Sequence, residues 1–242
     1  MLHGWLGSWG LWQETMTFLG QGFRTYALDF WGFGESGKKR STYHVQDFVS
    51  LVDQFMDKLG IASAPLVGHS MGGTVSLSVA LKYPERVERI VIIGSPIVGS
   101  SLALPLKMAG YRNVANILFT LFPAFRFGIR IVSPLICKDP AFPDMMDRDL
   151  SKTTLESFLI SISSLRRTDL RPQLNKITTP VMGMFGDRDI IVNPNQWKPL
   201  QEGVPQARIE RFRKAGHFIM LDDPLNFMFK LKDFLSSSPG VN

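Results

Sequence analysis

The sequence predicts an α/β protein built on a mostly parallel sheet, and three observations carry that expectation. Short apolar runs alternate with stretches of helical length, as in Pro65–Val67, Thr74–Lys82 and Val87–Ile93. The run ending at Val67 enters Gly68-His69-Ser70-Met71-Gly72, a G-x-S-x-G placed directly between a strand-like and a helix-like segment. The alternation stops between Ser95 and about Leu174, then resumes at Val181–Phe185.

Taken in order, Leu11–Leu19 reads as a helix ended by Gly20-Gln21-Gly22, and Phe23–Phe30 as a buried strand containing the β-formers Thr25 and Tyr26. The glycine-punctuated loop Trp31–Gly37 fails as a phosphate cradle, because no Gly-Lys-Ser/Thr follows at the required spacing. Val45, Phe48, Val49, Val52, Phe55, Met56 and Leu59 make one helical face, closed by Gly60. The helix after Ser70 stops at Tyr83-Pro84. Between the strand Val87–Ile93 and the strand Val181–Phe185, helices are expected near 102–109, 114–121, 125–132 and 150–165. The expected organisation is therefore a core of residues 1–95 and 175–242 with a helical cap inserted at 96–174. A helix at Trp197–Gln201, a strand at Ala207–Phe212 and a last helix entered through Asp222-Asp223-Pro224 follow, with 236–242 as a frayed tail.

With 242 residues, the chain is long enough for such a core. The formal charge of +6 is spread over separated clusters such as Lys38-Lys39-Arg40 and Arg166-Arg167, so a nucleic-acid partner is not expected. Cys137 is the single cysteine, which excludes an internal disulfide and a cysteine-built metal site. No signal-like segment or uncharged run of membrane-spanning length is present, and a cytoplasmic protein with no obligatory membrane contact is expected.

A serine on a tight strand-to-helix turn presents its hydroxyl, and the following helix aims free N–H groups at a developing oxyanion. If Ser70 is the nucleophile, a base and an acid must lie beyond other strand ends. Of four histidines, His3 lies in the opening loop, His44 precedes a helix and His69 adjoins Ser70, which leaves His217 in Gly216-His217-Phe218. The acid is expected in Gly186-Asp187-Arg188-Asp189, where Asp187 and Asp189 both compete, and either gives the chain order Ser…Asp…His.

With these pieces in place the chain resembles the α/β-hydrolase fold serine hydrolases, of the carboxylesterase and lipase kind with a helical cap. The resemblance rests on His3-Gly4-Trp5, Asp29-x-x-Gly32-x-Gly34-x-Ser36, Gly68-His69-Ser70-Met71-Gly72-Gly73, Gly186-x-x-Asp189 and Gly216-His217-Phe218, which span nearly the whole chain. It implies Asp189 as the triad acid, the backbone N–H groups of Trp5 and Met71 as oxyanion donors, and no cofactor or metal. It also implies two or three strands before the His-Gly loop, of which only Met1 and Leu2 are present. The strands ending at Asp29 and Val67 are then expected to pair directly or leave a gap, and a truncated chain of reduced stability is the expectation.

Leu102, Leu104, Leu106, Met108, Leu118, Phe119, Phe122, Phe125 and Phe127 offer the cap apolar area near Ser70. That favours a small-molecule ester with a short- to medium-chain apolar acyl part. The rival reactions are carbon–carbon hydrolysis of a diketone-like ring-cleavage product, with Arg112, Arg126 and Arg130 as candidate carboxylate partners, and perhydrolysis or acyl transfer. The rival outside catalysis is a hydrolase-like ligand-binding protein.

Overall fold

Four short segments form one parallel ladder in the order β1 (Ala64–His69), β2 (Val87–Ile93), β3 (Val181–Gly186) and β4 (Arg208–Phe212). The structure is a computed structural model that describes residues 1–39 and 42–237. Successive strand residues face opposite ways. Leu66, Ile90, Ile92 and Phe185 enter one core cluster, whereas Val67, Val91, Ile93, Met182 and Met184 enter the other. A parallel sheet buried on both faces needs helices on both. The first cluster is closed by α2 (Val45–Lys58), α3 (Met71–Lys82) and α9 (Trp197–Gly203). The second is closed by α1 (Gln13–Leu19) and, after the short α10 (Ile219–Asp222), by α11 (Pro224–Ser236). This is the α/β-hydrolase architecture that the motifs imply. The tail expected from Ser236 lies, beyond residue 237, outside the described residues.

Between β2 and β3 come only helices among the described residues: α4 (Leu104–Ala109), α5 (Arg112–Thr120), α6 (Phe122–Ile136), α7 (Phe142–Ser151) and α8 (Leu155–Leu165). The expected single helix at 150–165 is two. Thr154 ends the pause at 152–154 by accepting from the Ser157 N–H while Ser157 accepts from the Thr154 N–H, a reciprocal cap that starts α8. The helix expected at 125–132 runs on to Ile136 through Pro134, and the Ser133 hydroxyl donates to the Arg130 carbonyl that the proline leaves without its helical donor. No single described helix is long and apolar enough to cross a membrane; α5 and α6 pass that test only as a pair bent by 94°.

The other correction falls at the N-terminal edge. Phe23–Phe30 is not a strand: a single bridge at Leu28 is its whole share of the sheet. A strand needs a partner along its length, and here Leu2 alone supplies one. Leu2 bridges Leu28 on one side and Gly68 on the other, both in parallel. The Leu2 N–H donates to the Val67 carbonyl at 2.8 Å, His69 N–H to the Leu2 carbonyl at 3.0 Å, and Leu28 N–H to the Met1 carbonyl at 3.1 Å. The segments ending at Asp29 and Val67 therefore do not pair with each other. Two residues hold them apart at one end, and a slot lined by Phe23, Tyr26, Phe55 and Leu66 opens beyond. The Met1 amine is buried at the end of that slot, donating to the Tyr26 carbonyl at 2.6 Å, and burial lowers its pKa from 8.0 to about 5.

Spatially, then, the order is Leu28 segment, Leu2, β1, β2, β3, β4. Chain order reverses between Leu2 and β1, and the crevice outside the carboxyl ends of strands at such a reversal is where open α/β sheets bind ligands. Ser70 lies one residue beyond β1.

Candidate active site

Ser70 joins β1 to α3 with φ 52° and ψ −118°, one of two non-glycine residues with positive φ among the described residues. Such a conformation is costly for an L-residue and is held here by packing and by the Ser70 N–H donating to the Ile93 carbonyl at 2.8 Å. The result is the sharp elbow that the glycine-flanked motif predicts.

His217 and Asp189 follow β4 and β3. The His217 Nδ1–H donates to Asp189 Oδ2 at 2.7 Å, with both side chains buried. Asp189 Oδ1 accepts from the N–H groups of Ile191 and Val192 at 2.8 and 2.9 Å, so the carboxylate cannot turn away. Asp187, the competing acid, pairs with Arg211 at the surface. Gly94, beyond the end of β2, has φ +54°, and a Cβ there would approach His217 Nδ1 to 3.1 Å and Asp189 Oδ2 to 3.4 Å. The pair therefore needs glycine at that strand end. Ser70 and His217 line one cavity, although no hydrogen bond joins the Ser70 hydroxyl to the ring. In unliganded sites such catalytic contacts are often long and tighten with substrate.

Two features that orient His217 escaped sequence reasoning. The Asp222 carboxylate accepts from the Gly216 N–H at 2.7 Å and fixes the approach to the histidine. His69 Nε2–H donates to the His217 carbonyl at 3.1 Å, which leaves His69 Nδ1 bare and without a partner among the described residues. Burial, reinforced by the adjacent His217 ring, holds the His69 pKa well below its ordinary value. A neutral His69 can sit beside a histidine that gains a proton without adding a second charge.

The opening loop lies directly over the elbow: a Cβ on Gly4 would come within 3.1 Å of Ser70 Cβ. The N–H groups of Trp5 and Met71 have no hydrogen-bond partner among the described residues, and Met71 is the first residue of α3, where helix N–H groups are free. Side chains far apart in sequence hold this loop. His3, fully buried, donates from Nδ1 to the Gly4 carbonyl at 2.7 Å and accepts at Nε2 from the Phe30 N–H at 2.9 Å, a pattern only the neutral ring can make. Burial lowers its pKa in agreement. The Trp9 N–H donates to Asp29 at 2.5 Å, Trp5 Nε1–H to the Phe158 carbonyl at 3.3 Å, and Ser8 Oγ–H to Asp149 at 2.9 Å. The Asp29 motif residue is thus a clamp, since its second oxygen accepts from the Glu35 N–H and its carbonyl from the Ser36 hydroxyl.

This geometry now meets the comparison with known proteins. A sequence profile described as alpha/beta hydrolase fold matches residues 1–131. The chain belongs to the alpha/beta hydrolase fold family. Among curated members it is 27% identical to a pimeloyl-[acyl-carrier protein] methyl ester esterase from Photobacterium profundum, over 97% of this chain and 93% of that protein. It is also 27% identical to a 2-hydroxy-6-oxo-6-phenylhexa-2,4-dienoate hydrolase from Burkholderia cepacia, over 98% of this chain and 87% of that one. Among solved structures, a hydrolase from Pseudomonas aeruginosa superimposes with a TM-score of 0.84 at 22% identity, covering 98% of this chain and 89% of that one, a likeness of fold.

Around the site of this alpha/beta hydrolase the apolar lining differs from the sequence expectation. Of the nine apolar residues expected near Ser70, Leu106 alone lines its cavity; the helices between β2 and β3 add Ile129, Ile136, Phe142, Met145 and Met146, and Trp5, Leu6, Leu11, Ile191 and Phe218 come from outside them. Phe119, Phe122 and Phe125 form an aromatic run on Phe158 instead, and Leu102 is in the core. Leu104, Met108 and Phe127 face solvent, and Leu118 packs against the core.

Proposed function

We propose that the protein is a serine hydrolase of carboxylic esters with a short apolar acyl part, acting through an acyl-enzyme on Ser70. The observation that carries this reading is a strained serine elbow sharing a cavity with a buried His217–Asp189 pair. Ser70 Oγ attacks the ester carbonyl as His217 Nε2 takes its proton, and Asp189 holds the Nδ1–H and stabilises the imidazolium. The N–H groups of Trp5 and Met71 donate to the oxyanion, each worth roughly 3 kcal/mol in the transition state. Collapse expels the alcohol with the proton from His217, and water then repeats the sequence on the acyl-enzyme. Residues 96–174 act as the cap that roofs the acyl cavity.

The cavity is small, about 110 Å³, and bounded mainly by aliphatic, thioether and aromatic side chains. Both features support a short acyl chain. Carbon–carbon hydrolysis of an anionic diketone is less favoured, because Arg126 and Arg130 pair with Asp147 and Asp144, and neither they nor Arg112 line the cavity. The test is turnover of p-nitrophenyl esters from acetate to octanoate by the wild type and by Ser70→Ala. Turnover is expected to peak at short chains and to fall by on the order of 10⁴ or more in the variant. Equal turnover by the folded variant refutes the reading.

A further inference from the structure

The cavity shared by Ser70 and His217 carries one charged side chain whose chemistry the triad does not use. Asp149, on α7, lines it and is 2% exposed. Its Oδ1 accepts from Ser8 Oγ at 2.9 Å and from Arg148 Nε at 3.1 Å, whereas its Oδ2 is buried with no partner among the described residues. The Arg148 side chain is half exposed, so solvent screens much of its charge. Burial raises the Asp149 pKa, as it does for a carboxylate short of partners. An orphaned buried acceptor is costly, and a donor that reaches it removes the cost. A site built around a polar group discriminates sharply against analogues that leave it unpaired, and a second carboxylate beside it is repelled in a low dielectric.

We propose that Asp149 determines substrate specificity: it selects esters whose cavity-filling part carries a hydrogen-bond donor, such as a terminal hydroxyl, and rejects those that carry a carboxylate there. The proposal rests on the ester-hydrolase reading for its reaction, while the recognition itself is a property of the cavity. Asp149 also ties α7 to the loop over Ser70 through Ser8. That structural duty affects every substrate alike, whereas selection by Asp149 depends on the end group.

The experiment compares three p-nitrophenyl esters of equal length and leaving group: hexanoate, 6-hydroxyhexanoate and the monoester of adipate. In the wild type, kcat/KM is expected to be tenfold or more higher for the hydroxyl than for the methyl end, and lower by a hundredfold or more for the carboxylate. In Asp149→Asn, which keeps an oxygen for Ser8, the penalty on the carboxylate shrinks at least tenfold; in Asp149→Leu the preference for the hydroxyl is lost. Binding of the three uncleavable primary amides of the same acids, followed by ligand-observed NMR, gives the order without any turnover. If the esters are not cleaved but the amides bind in this order, with Asp149→Asn easing the carboxylate penalty and Asp149→Leu removing the hydroxyl preference, the reaction is wrong and the selection stands. Wild-type ratios that persist in both variants, for esters and amides alike, overturn the proposal.

Discussion

Ser70, Asp189 and His217 each follow a strand of one continuous parallel ladder, whereas the loop over Ser70 follows a two-residue stub whose sheet contacts are the bridges of Leu2. The ladder side is fixed by backbone hydrogen bonds and by apolar residues buried on both faces of the sheet. The loop side is fixed by a neutral histidine, an aspartate clamp and two contacts from the helical segment, Trp5 to Phe158 and Ser8 to Asp149. The first arrangement is redundant, since no single side chain defines where a strand ends. The second is not, and each anchor there is a single side chain with one to three hydrogen bonds. Damage on the ladder side should therefore remove chemistry while leaving stability, and damage on the loop side should cost both.

After Ser70→Ala, the largest effect expected is on the ladder side: Asp189→Asn lowers kcat by about 10³–10⁴ through loss of the imidazole orientation, with the melting temperature little changed. A small drop in kcat would show that the His217–Asp189 contact is not used.

Next comes the pH dependence of stability. His3 on the loop side and His69 at the end of β1 are bases that burial keeps neutral in the folded chain. The unfolded chain binds more protons as pH falls below the ordinary histidine value of 6.5, so this stability is complete above that pH and lost below it. Urea midpoints measured from pH 5 to 8 should climb. A flat profile would mean that water reaches both rings.

Smaller is His3→Ala, which leaves the Phe30 N–H unpaired and frees the loop that carries Trp5. It should lower kcat roughly 10–100-fold and stability by about 1–3 kcal/mol, with KM nearly constant. Loss of stability alone would place the Trp5 N–H outside the chemistry. Smallest is Asp187→Asn: its partner is Arg211, so kcat/KM should stay within about twofold of the wild type.

The ladder side was the legible one. β1 and β3 are short apolar runs and β2 ends in one, glycine lies at or near their ends at Gly68, Gly94 and Gly186, and Gly216 marks the loop after the more polar β4, so the sequence places Ser70, the Asp187/Asp189 pair and His217 beyond strand ends. The loop side was not legible, because its anchors are long-range pairs such as Ser8 with Asp149 and Trp5 with Phe158, for which local pattern carries no signal. Phe23–Phe30 has strand composition but lacks a neighbour along its length, and composition cannot supply one. The stretch Phe142–Ser151 escaped notice because its acidic residues dilute the apolar pattern, yet Phe142, Met145, Met146 and Asp149 from it all line the cavity.

The most direct measurement is the rate at which a fluorophosphonate probe labels the protein, with the modified residue found by peptide mapping. The account predicts modification at Ser70, none in Ser70→Ala, and labelling slowed by on the order of 10³ or more in a folded His217→Ala variant. Labelling at another residue, or an unchanged rate without His217, would contradict it.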